Sequence, residues 1–128
     1  MAIKHITHIC VYVRDQDQAL DWYTEKLGFK ICDDNSEMVP GFRWLTVSPD
    51  ADSATQMVLM PAGTDADQAR IGANGICVLG TDDCRGDCAA LAARGVEVVE
   101  QPSTVPWGVS AIFKDLYGNP YNLVEAHF

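Results

Sequence analysis

The stretch HICVYVRD, His8 to Asp15, is answered later in the chain by GICVLGTD, Gly75 to Asp82. Both read as an apolar strand running toward an Asp that can open a helix. At an offset of 67 positions, Ile9, Cys10, Val11, Asp15 and Gly28 fall without a gap on Ile76, Cys77, Val78, Asp82 and Gly95. An ordered set of identities at one spacing marks a duplicated supersecondary unit. The histidine is missing from the second copy, where Gly75 stands opposite His8.

Working outward, each copy continues with a helix that closes at a glycine. Asp15 suits the N-cap of the first, its carboxylate accepting from orphan backbone N–H groups, and Gly28 suits the left-handed position after its end. Ala19, Tyr23 and Lys26-Leu27 form part of its inward stripe, flanked by Leu20 and Trp22. The second helix is expected from about Asp83 to Arg94, with Gly95 as its stop and Cys84, Cys88, Leu91 and Ala92 on one face. Two thiols at i, i+4 suit a metal in principle. The same spacing describes a buried stripe, and cysteine packs as a small hydrophobe.

Strand signals follow each helix: Phe29 to Cys32, Phe42 to Ser48 and Gln56 to Met60, then Val96 to Glu100, Val109 to Phe113 and Tyr121 to Glu125. Pro49-Asp50 punctuates one half, and Asp115 with Gly118-Asn119-Pro120 the other. Each half therefore reads βαβββ. The expected organisation is one domain over 1–128: module one at about 1–61, a Gly-, Ala- and Asp-rich linker at about 62–73, and module two at about 74–128.

Composition limits the partners. Eighteen acids against nine bases give a formal charge of -9, which repels phosphate backbones and anionic membranes. No nucleic-acid or membrane partner is expected, and no run reaches the length of a membrane span. An odd count of five cysteines, without disulfide-framework spacing, points to reduced thiols and a cytoplasmic location.

HICVYVRD, ALDWYTEKLGF and RWLTV in the first half, with AARGV, PWG and DLYGN in the second, resemble the vicinal oxygen chelate superfamily. That group includes glyoxalase I, extradiol dioxygenases, fosfomycin resistance enzymes and bleomycin resistance proteins. The resemblance covers essentially the whole chain and implies an α+β fold. Two tandem βαβββ modules would curl their mixed sheets into an open cup with helices outside, often completed by a homodimer. One such fold hosts many activities, so it does not by itself assign a reaction.

Catalytic members of that superfamily usually hold a divalent ion with His and carboxylate or amide ligands from four strand positions, two per module. His8 matches the first position. Gly75 stands at the second, Asn122 where a Glu is common, and Met57 at the remaining one, or Gln56 if the register slips by one. Only His8 is thus a retained metal ligand, and no cofactor is expected, although a divalent metal at His8 stays an alternative. Glu125 should face away from Asn122 by strand alternation, and His127 sits at the terminus. Cys10 and Cys77 are expected on His8's side of their strands, either as small residues flooring a pocket or, with His8, as a Cys2His zinc or copper site.

The expected contents of the cup are those of a small-molecule site, apolar walls with a few polar anchors. Its candidate ligand-binding residues are His8, Cys10, Tyr12, Trp44, Met57, Cys77, Trp107 and Asn122. Met60 adds an adaptable wall, and Trp22 is expected in the core. Asp33, Asp34 and Glu37, in a loop read at DDNSEMVPG, either attract a cationic drug or form a solvated connector. No catalytic residue can be assigned. Two functions remain open: a metal-free protein binding an apolar or aromatic small molecule, and a glyoxalase-like lyase or dioxygenase-like enzyme using His8.

Overall fold

In the computed structural model, which describes residues 1–126, β1 (His8–Val13) delivers the chain to α1 (Gln16–Leu27). Asp15 caps this helix from an extended backbone, its carboxylate accepting from the Gln18 N–H. Gly28 ends it at φ 70 and returns its own N–H to the Tyr23 carbonyl, a conformation that glycine adopts without a Cβ penalty. Three strands follow, β2 (Lys30–Val39), β3 (Phe42–Ser48) and β4 (Gln56–Pro61). They form a four-stranded mixed sheet in the order β1-β4-β3-β2, with β1 parallel to β4.

Strand alternation divides this sheet into two faces. One carries Val11, Val13, Leu45, Val47, Met57 and Leu59, all buried. The Arg43 side chain, of the same parity, reaches Asp17 of α1, which identifies this as the helix-covered face. Ala19 and Tyr23 of α1 are fully buried. Each enclosed side chain of leucine size stabilises the module by about 2 kcal/mol.

Module two repeats the plan with β5 (Cys77–Gly80), α3 (Cys84–Ala93), β6 (Glu97–Val105), β7 (Gly108–Lys114) and β8 (Pro120–Ala126). The sheet order is β5-β8-β7-β6, with β5 parallel to β8. The helix-covered face carries Tyr121 stacked on Phe113 at 5.4 Å, and Cys84 of α3 donates its thiol to the Leu123 carbonyl. The turn DLYGN pins the entrance to this module. Asp115 accepts from the backbone N–H groups of Tyr117 and Asn119 and from the Asn119 amide, and Asn119 in turn accepts from the Asn74 N–H. The fold is therefore α+β, built of two βαβββ modules.

Two expectations about elements are corrected. The loop read at DDNSEMVPG is mostly strand: β2 runs on to Val39 and turns into β3 at Pro40-Gly41. Its polar residues are compatible with a strand because β2 is outermost in its sheet and exposed along nearly its whole length. The linker holds a single helical turn, α2 (Asp65–Gln68), capped by Thr64. The chain divides into units between Ile71 and Gly72.

The second correction concerns the repeat itself. Asp83, not Asp82, caps α3, accepting from the Gly86 N–H at 2.9 Å. Gln16 and Cys84, the first residues of α1 and α3, each donate to a carbonyl of the last strand of their module, Leu59 and Leu123. Val11 pairs Leu59 and Leu79 pairs Leu123. The first strands and the helix caps of the two modules therefore correspond at an offset of 68, Asp15 with Asp83, while the glycines that end the helices stay at 67, Gly28 with Gly95. The difference is absorbed in α3, which has 10 residues against 12 in α1.

Candidate functional site

A one-residue slip of register moves every side chain of a strand to the other face. The structural counterpart of His8 is thus Ile76, that of Cys10 is Val78, and that of Ile9 is Cys77. Cys77 pairs Tyr121 on the helix-covered face of its sheet, and burial pushes its thiol pKa up. This overturns the expectation that Cys10 and Cys77 occupy equivalent sides of their strands, and with it the argument for a Cys2His site. Met57 is corrected in the same way. It pairs Ile9, is 4% exposed, and belongs to the core of module one. His8 pairs Gln56 instead, so the slipped register is the one that the fold adopts.

On the face of module one opposite α1, alternation gathers His8, Cys10 and Tyr12 from β1, Gln56, Val58 and Met60 from β4, and Trp44 and Thr46 from β3. His8 and Trp44 meet edge to face at 5.2 Å, a geometry that aligns the positive edge of one ring with the negative face of the other. Cys10 is exposed, while Val58 and Thr46 are buried and floor the face. The Arg70 guanidinium carbon lies 6.0 Å from the centre of the Tyr12 ring, adding a cation to a region where the sequence reading placed none.

Thr46 and Gln56 form the polar part of this face. The Thr46 hydroxyl accepts from the Asp33 backbone N–H at 3.0 Å and donates to Gln56 Oε1 at 2.9 Å. Asp34, by contrast, points to the α1 side and is engaged by Arg43 through two hydrogen bonds, while Arg43 also holds Asp17. Hydrogen bonding to that guanidinium holds the Asp34 carboxyl below its ordinary pKa. Asp34 is therefore ionised and already paired at neutral pH, which removes it from the expected cation-attracting set. Asp33 and Glu37 remain exposed on β2.

In module two Asn122 lies on the face away from α3, and its amide nitrogen donates to Ser110 Oγ and the Ala111 carbonyl, both at 2.8 Å. Glu125 faces α3, as alternation requires, and accepts from the Cys84 N–H. Trp107 occupies the turn between β6 and β7 at 47% exposure. His127 lies outside the described residues. Trp22 is half-buried beside Tyr23. Among the described residues no group of three or more His, Cys, Asp or Glu side chains converges as a metal site would require, and no helix is long and apolar enough to cross a membrane.

The sequence model of the Glyoxalase/Bleomycin resistance protein/Dioxygenase superfamily matches residues 5–123. An uncharacterized protein of Bacillus subtilis strain 168, YetH, is 34% identical over 123 residues, covering 96% of this chain and 99% of its own. TnmS3, an antibiotic binding protein from Streptomyces sp. CB03234, has a crystal structure matching 99% of each chain at 34% identity and a TM-score of 0.78. A member of the same superfamily from Sphaerobacter thermophilus DSM 20745 matches at a TM-score of 0.84 and 31% identity, over 98% of this chain and 99% of that one.

Proposed function

Because the chain belongs to the Glyoxalase/Bleomycin resistance protein/Dioxygenase superfamily, we propose that it is a metal-free small-molecule binding protein. It holds an apolar or aromatic ligand against the open face of module one. The observation that carries this reading is the pairing of His8 with Trp44 on a face that is otherwise mostly apolar, aromatic or neutral, its charged groups being Asp33, which pairs Thr46, and Arg70 beside Tyr12. Such a lining suits a small organic molecule. An antibiotic-binding relative at 34% identity supports the same direction.

The donors at hand fit a divalent ion poorly. Gln56 could ligate only through Oε1, which already accepts from the Thr46 hydroxyl. His8 corresponds to Ile76 in module two, and Asn122 to Val58 in module one, so neither module repeats the other's donor. A neutral amide is in any case a weak ligand for the borderline cations that imidazole suits. The competing reading, a metal-dependent glyoxalase-like lyase or dioxygenase-like enzyme, rests on His8 alone.

One calorimetric and fluorescence series separates the two. In a screen of aromatic metabolites and planar antibiotics, a hit should raise the melting temperature by mass action and quench tryptophan emission. Trp44→Ala should weaken binding at least tenfold, and Trp22→Ala should leave it within about twofold, since the energy of a binding site concentrates in a few buried aromatic anchors. In the same series, protein purified without added metal should carry sub-stoichiometric zinc, iron, manganese and nickel. Stoichiometric metal that is lost in His8→Ala would favour the enzyme.

A further inference from the structure

We infer that the ligand is recognised through an oxygen acceptor, of the aromatic ketone or quinone class, and that Thr46 sets this preference by fixing the direction of the Gln56 amide. The inference rests on the ligand-binding reading above and narrows it. A threonine hydroxyl has one hydrogen to give. Toward Asp33 it faces a backbone N–H, which can only donate, so there the hydroxyl accepts. Its own hydrogen is buried and needs an acceptor, which is Gln56 Oε1 at 2.9 Å; the reversed amide would leave that hydrogen unpaired. Thr46 is 0% exposed and held in the middle of the sheet, so this constraint is built into the module.

The consequence falls on the other end of the amide. Gln56 Nε2 carries two hydrogens, and no acceptor among the described residues takes either of them. Gln56 is partly exposed and stands opposite His8 in the β1–β4 pair, beside the aromatic edge contact of His8 with Trp44. The open face thus offers fixed N–H donors next to aromatic surface. A carbonyl oxygen on a planar ring system satisfies both. A protonated amine satisfies neither donor; on the same face the Arg70 guanidinium over Tyr12 opposes it, while the exposed Asp33, paired with Thr46, attracts it. The net charge of -9 would suggest the reverse, a preference for cations, but Asp34 is already spent on Arg43.

Three planar probes of similar size test this: fluorenone, with a carbonyl; fluorene, without one; and acridine in its protonated form. Dissociation constants are read from tryptophan quenching and confirmed by calorimetry. The protein should favour fluorenone over fluorene by about fivefold or more, the worth of one neutral hydrogen bond, and should bind protonated acridine more weakly than fluorenone. Gln56→Glu keeps an acceptor for Thr46 and replaces the donor by an oxygen, so it should abolish the preference for fluorenone over fluorene. Thr46→Val frees the amide to turn and should reduce the ratio. Thr46→Ser keeps the hydroxyl and should retain it. Equal binding of fluorenone and fluorene by the unaltered protein overturns this inference and leaves the ligand-binding reading standing, as does a preference for protonated acridine. Failure of all three probes and of the broader screen removes both.

Discussion

Single residues decide which thiols can react. Cys84 is fully buried, and desolvation, with smaller contributions from neighbouring thiol and carboxylate groups, pushes its pKa up to about 11. Cys88, one turn along α3, is 3% exposed and is raised in the same way by burial. The thiolate is the nucleophile, so both are inert at neutral pH in the folded protein. This is the behaviour of a hydrophobic stripe, and the i, i+4 spacing is explained without a metal. Cys10 lies exposed on the open face of module one. Iodoacetamide at pH 8 should therefore label Cys10 first, and Cys84 and Cys88 only once the chain is unfolded, with mass spectrometry of proteolytic peptides as the readout. Prompt labelling of Cys84 would contradict its placement under α3. Bound ligand should also slow the labelling of Cys10, which shares its face with His8 and Gln56.

At the scale of elements, the difference of one between the sequence repeat and the structural repeat decides which side chains face a ligand. Ile9-Cys10-Val11 and Ile76-Cys77-Val78 are identical in letters and different in orientation. The helix cap tests this directly. Asp83 accepts from the Gly86 N–H as the N-cap of α3, whereas Asp82 lies exposed just before it. Replacing an N-cap carboxylate by Ala costs about 1 kcal/mol, and surface substitutions away from such features stay within about 0.5 kcal/mol. Urea unfolding should therefore show Asp83→Ala displaced to lower midpoint with unchanged slope, and Asp82→Ala close to the parent. The opposite order would restore the offset of 67 that identities alone suggest. Asp15→Ala should resemble Asp83→Ala, because Asp15 makes the equivalent bond to Gln18 in α1.

For the whole molecule, the outermost strands bear apolar side chains in water. Ile31, Met38 and Val39 on β2, Val78 on β5 and Val99 on β6 are all about half exposed or more, on strands that end their sheets. Edge strands with such side chains favour association with another chain, and two-fold pairing is the commonest closed arrangement. A homodimer is the proposed assembly. Sedimentation at micromolar concentration should give twice the chain mass of 14.0 kDa, and a strictly monomeric species would end that proposal. A charged substitution such as Met38→Lys should shift the equilibrium toward monomer if β2 takes part.

The βαβββ duplication, the cap at Asp15, the stop glycines and the buried cysteine stripe were all legible in the chain, because caps, turns and helical periodicity are local properties of neighbouring residues. So was the family, through motifs spread over nearly its whole length. The face on which each strand residue lies was not legible, because it depends on pairing between strands far apart in sequence. Tertiary structure alone placed Met57 in the core and Gln56 beside His8, turned Cys77 toward α3, and made β2 a long outer strand. It also brought together Asp33, Thr46 and Gln56, which are separated by 13 and 10 positions along the chain. Their hydrogen bonds share a single hydroxyl group, which accepts from Asp33 and donates to Gln56, and the direction in which its proton points is a consequence of sheet geometry that no spacing in the sequence encodes.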